Sequence, residues 1–142
     1  MKEKNNIISF EKYVESADKV IRDNSDDLLT KDNEKTKPPG NAYWGKCYVA
    51  SESMYFYFGG KSSGFKPMNM KHEDRSHWFL KRQSNDEIID LTGTQYKTVP
   101  DYTIATGRGF LPTKEGISSR SNEFLSRVLK TYNEINGIKK EE

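Results

Sequence analysis

The chain has 142 residues, which suits one domain burying roughly two-thirds of the surface that its unfolded form exposes. Lys and Arg total 23 against 21 Asp and Glu, a net +2, so charge gives no argument for a nucleic-acid partner. Only 33% of residues are apolar, no run approaches the ~18 to 20 apolar residues of a membrane span, and a single cysteine excludes an internal disulfide.

The first residues, "MKEKNNIISFEKY", have a charged start and no apolar signal-peptide segment. A free thiol in a reducing cytoplasm is the expected setting. Phe10, Tyr13, Val14, Ala17, Val20 and Ile21 recur at three- and four-residue intervals, predicting a helix that starts after Ser9 as N-cap and ends by Asn24. From 24 to 40 the polar "NSDDLLTKDNEKTKPPG" reads as a long flexible connection.

A second helix is expected from Lys46 to Phe58, with Ala50, Met54, Tyr57 and Phe58 on its apolar side and Gly59-Gly60 to stop it. Cys47 then lies in its first turn. Tyr55 to Phe58 surround a whole helical turn, serving either the core or a groove for a partner or substrate. Lys61 to Ser76 contains Gly64 and Pro67 and reads as loop.

"HWFLKR" and "EIIDLT", separated by "QSND", predict a β-hairpin in which His77 early in one strand neighbours Asp90 late in the other. An irregular stretch with Pro100 and Pro112 follows. A last helix from Ser119 carries Phe124, Leu125, Val128, Leu129, Tyr132 and Ile135 on one face, and 137–142 is a solvated tail. The plan is a single α+β domain with helices packed on a small antiparallel sheet.

Cysteine attacks carbonyls as its thiolate, which a helix N-terminus and a neighbouring imidazolium both favour. Cys47 as nucleophile, His77 as base and Asp90 as the acid that orients the imidazole meet the needs of a triad. Each also has a structural reading: a small buried thiol, a strand-edge histidine, a turn-forming aspartate. The motifs "GKC" opening a helix, "HWFL" opening a strand and "IIDLT" in the next resemble the core of papain-like and transglutaminase-like cysteine hydrolases. The longer pattern, Cys, His-Trp and Asp-x-Thr-x-x-Gln-aromatic, also resembles small bacterial and phage proteins; the resemblance covers about residues 41 to 110.

Carried over, that resemblance implies Cys47, His77 and Asp90 as catalytic residues and an upstream amide for the oxyanion. Asn41 is the candidate donor and Trp44 a second, although "PPGN" is also ordinary turn chemistry and Trp44 a core residue type. Gln95 and Tyr96 either support the site or pin the chain to the sheet. Arg108, between two glycines in "TGRGF", offers a guanidinium to a carboxylate or phosphate without the context of a phosphate loop. His72, His77, Cys47, Glu73 and Asp74 lack the paired spacing of a zinc site; neither metal nor cofactor is expected.

Two functions stand open. One is a small thiol hydrolase or acyltransferase, a protease among them, acting on an amide, ester or isopeptide bond of a protein or peptide. The other is a non-catalytic phage-type inhibitor that binds a host protein or a small charged ligand in the host cytoplasm.

Overall fold

The computed structural model describes residues 8–110 and 116–137. Among them are four α-helices, α1 (Phe10–Asp23), α2 (Lys31–Thr36), α3 (Cys47–Tyr57) and α4 (Ser119–Ile135). Strands β1 (Phe65–His72), β2 (Arg75–Arg82), β3 (Ile88–Ile89) and β4 (Thr106–Gly107) form one antiparallel sheet in the order β3-β2-β1-β4. The architecture is α+β, and no described helix is long and apolar enough to cross a membrane.

α1 begins where Ser9 Oγ accepts from Lys12 N, and its apolar stripe buries Tyr13, Ala17, Val20 and Ile21. α4 begins at the N-cap Ser118, whose Oγ accepts from Ser121 N and also donates to Glu52 Oε1 at 2.7 Å. That second bond ties α4 to α3. Phe124 and Val128 are fully buried against the same core, so three helices share one apolar interior.

The long hairpin differs from the expected one. β2 pairs along its whole length with β1, from Phe65 opposite Arg82 to His72 opposite Arg75, and only Ile88 and Ile89 of "EIIDLT" join it from the other side. Glu73 and Asp74 make the connecting turn, both at positive φ. β1 is obscure in sequence because Pro67 and basic residues interrupt it and because its buried Phe65 lies on the opposite face from Met68 and Met70. Proline lacks an N–H but keeps its carbonyl; Pro67 O accepts from Arg108 N at 3.0 Å, beside β4.

Successive strand residues face opposite sides. Phe65 and Leu80 point into the helical core, whereas Met68, Met70 and Phe79 form a second cluster covered by Tyr102 and Ala105. His77 lies on this second face, opposite Met70.

The stretch 24–40 is not a bare connection. It holds a 3-10 turn (Asp26–Leu28) and α2, with Leu28 buried. Arg127 makes a two-pronged bond to Asp27, and Arg120 donates to Leu28 O. Of the solvated tail, 138–142 lie outside the described residues.

Candidate active site

α3 starts abruptly because Gly45 and Lys46 hold the incoming chain. Gly45 has φ +73°, and a Cβ there would lie 2.9 Å from both Asn33 Cβ and Leu29 Cδ2, so no other residue fits without displacement. Its N–H donates to Gln95 Oε1 at 3.0 Å. The Lys46 side chain is buried, its ammonium donating to Ile21 O at 2.9 Å and to Asp26 at 2.6 Å. Burial pushes the Lys46 pKa down, while Asp26 works against that fall. Cys47 is therefore the first helical residue, at the positive end of the helix dipole, with no side-chain cap at Lys46.

His77, in β2, is fully buried. Its Nε2–H donates to Asp90 Oδ2 at 2.7 Å, just past the end of β3. The same oxygen accepts from the Tyr102 hydroxyl at 2.6 Å, and Oδ1 accepts from Thr92 N at 3.2 Å. Gly93 makes this convergence possible, because a Cβ there would sit 2.9 Å from Asp90 Oδ2 and 2.9 Å from the Tyr102 oxygen.

The His77 pKa is pushed up to about 9. Burial opposes the charged ring, but hydrogen bonding with Asp90 and with Cys47, and the charges of both, more than offset it. Cys47 is thus near enough for its sulfur to favour the imidazolium. The bond is unfinished, however: Nδ1 is buried with no hydrogen-bond partner of good geometry, and the thiol leans on Ser76 O at 4.0 Å.

The other residues singled out in the sequence fall around this centre. The Asn41 amide donates to Gln95 O at 2.8 Å, and Trp44 Nε1 donates to Thr36 Oγ1 at 3.2 Å. Gln95 also donates to Thr92 Oγ1, and its Oε1 accepts from Arg75 as well as Gly45. The Arg75 guanidinium lies 3.7 Å over the Trp44 ring and bonds to Asn33. Gln95 and Arg75 thereby lock the start of α3 to the loop that follows β3.

Arg108 lies on the other face of the sheet from His77, exposed, with its guanidinium 5.8 Å from the centre of the Trp78 ring. There Trp78 and Tyr48, which follow His77 and Cys47 in sequence, pack with Phe110 as a partly exposed aromatic cluster. His72 and Glu73 both bond Thr98, and no cluster of three metal-ligating side chains occurs among the described residues.

Gly93 and Tyr102 were not singled out in the sequence, and Tyr96 only as a residue that supports the site or pins the chain. Tyr96 stands edge-on to His77 at 5.0 Å between ring centres and to His72 at 4.7 Å. Burial pushes its pKa up, followed by the charge of Cys47. Neither Gly93 nor the tyrosines carry a local signal of a contact across the sheet.

Two clefts flank the loop. One, of about 860 Å³, runs along Pro38, Tyr43, Trp44, Glu73 and Tyr96; the other, about 380 Å³, is bordered by Asp90, Gly93, Tyr96 and Tyr102. Neither is lined by Cys47 itself. No protein-family model, curated protein or solved structure matches the chain.

Proposed function

We propose that the protein is a small cysteine-dependent hydrolase or acyltransferase acting on an amide, ester or isopeptide carbonyl, built on a papain-like or transglutaminase-like core. Cys47 is the nucleophile, His77 takes and returns the proton, and Asp90 orients and charges the imidazole. One observation carries this reading: His77 is buried, bonded to Asp90 at 2.7 Å, and has its other nitrogen unpartnered at the helix start that bears the only cysteine. The large majority of buried side-chain polar atoms have a hydrogen-bond partner, so the unpartnered Nδ1 asks for an explanation.

In the proposed sequence the Cys47 proton moves to His77 and the sulfur attacks the carbonyl carbon. The leaving group collects that proton as the thioester forms, and water or an amine resolves it. Cys47→Ala should abolish iodoacetamide-sensitive turnover of p-nitrophenyl acetate and leave thermal unfolding as in the parent protein. Full turnover in that variant would sink the proposal.

The burial of Cys47, at 8% exposure, favours the second reading, a binding protein that uses the 860 Å³ cleft. That reading predicts a thiol inert to iodoacetamide under native conditions.

A further inference from the structure

Four described side-chain atoms are buried without a hydrogen-bond partner: Glu52 Oε2, Ser121 Oγ, His77 Nδ1 and the Tyr96 hydroxyl. Leaving such a group unpaired costs about 1 to 3 kcal/mol, so each asks for an explanation. The first two belong to the buried face between α3 and α4. The last two belong to neighbouring rings in the candidate active site.

Resting on the function proposed above, we propose that the Tyr96 hydroxyl donates the hydrogen bond that stabilises the negative oxygen formed when Cys47 attacks a carbonyl. Acyl transfer needs a donor aimed at the developing oxyanion. Asn41, Trp44 and Gln95 already spend side-chain N–H groups on Gln95 O, Thr36 and Thr92. Tyr96 spends none.

Its ring is also fixed. It follows the 3-10 turn Gly93–Gln95, whose last side chain is held by Gly45, Arg75 and Thr92, and it is wedged between the imidazoles of His77 and His72. A donor held by its neighbours needs no reorganisation when charge appears. Burial and nearby negative charge keep the phenol protonated well above its ordinary range, so the proton is present to donate. Tyr96 also borders both clefts. The Cys47 N–H, at the start of α3, supplies the complementary donor.

The test compares two reactions of the same sulfur in the full-length chain. With p-nitrophenyl acetate the C–S bond forms as the carbonyl electron pair moves onto oxygen. That pair then returns and expels p-nitrophenolate, leaving acetyl-Cys47. Iodoacetamide alkylates the sulfur by displacing iodide, with no oxyanion.

Tyr96→Phe should slow acetylation by about 10²- to 10³-fold and change alkylation by less than about twofold, since alkylation forms no oxyanion for the hydroxyl to stabilise. It should unfold no more readily than the parent, because it removes an unsatisfied buried hydroxyl. Acetylation at the parental rate overturns the inference and leaves the thiol-enzyme reading standing. Equal slowing of both reactions assigns Tyr96 only to packing on His77 and also overturns it. If neither reagent modifies Cys47 in the parent protein, the function proposed above fails and takes this inference with it.

Discussion

Asp90→Asn isolates the interaction that charges His77. The ordinary histidine pKa of about 6.5 describes the unfolded chain, whereas the folded value is pushed up to about 9. Between these two values the folded state binds the extra proton, so its stability falls as pH rises. The contribution is complete below about pH 6.5 and gone above about pH 9. About 2.5 pH units at about 1.4 kcal/mol each make this contribution about 3 to 4 kcal/mol. Both groups are buried, so solvent screening removes little of it.

In Asp90→Asn the charge and the strongest favourable bond disappear, while burial still opposes the imidazolium. The loss of stability between about pH 6 and pH 10 should shrink by more than half, and the two proteins should differ less at the alkaline end than at the acidic end. Urea unfolding followed by tryptophan fluorescence across this range measures both, and the NMR titration of His77 in a His72→Gln background reads its pKa directly. A constant stability difference between the proteins at every pH would refute the reasoning.

Gly93→Ala should cost about 1 to 3 kcal/mol by prising Tyr102 from Asp90. A double-mutant cycle with Tyr102→Phe should recover part of that cost, since the clash then has one oxygen fewer. Lys46→Met should keep the packing but remove the ammonium's bonds to Asp26 and to Ile21 O, which keeps only the Ser25 hydroxyl, lowering unfolding stability by about 1 to 3 kcal/mol in a denaturant titration. Asn41→Ala should lose about 0.5 to 1.5 kcal/mol of stability, yet acetylation by p-nitrophenyl acetate should stay within about threefold of the parent, because that amide is committed to Gln95 O.

α1 and α4 were legible because each carries a helical apolar stripe, α1 behind its Ser9 cap; Tyr13, Ala17, Val20, Ile21, Phe124 and Val128 of those stripes are buried, while Ile135 is exposed. The start of α3 at Cys47 was legible from the apolar run that follows it and the two glycines that end it. β1 was not, since Pro67 conceals an internal strand whose pairing is decided by β2 rather than by local propensity. The pairing of His77 with Asp90 followed from antiparallel geometry even though β3 has only two residues. What surrounds the pair was not legible. The bond from Tyr102 to Asp90 and the unpartnered Tyr96 hydroxyl arise from the fold of an irregular loop over the sheet, and a loop of that kind has no periodicity to read.

The central claim is that His77 activates Cys47, and the most direct measurement is the rate of Cys47 alkylation by iodoacetamide in the folded protein near neutral pH, with and without His77→Asn. Cys47 should be modified stoichiometrically in the parent protein, and the substitution should slow the reaction by about a hundredfold or more, within the range expected when a positioned base is removed. Equal rates in the two proteins, or a thiol that reacts only after unfolding, would contradict it.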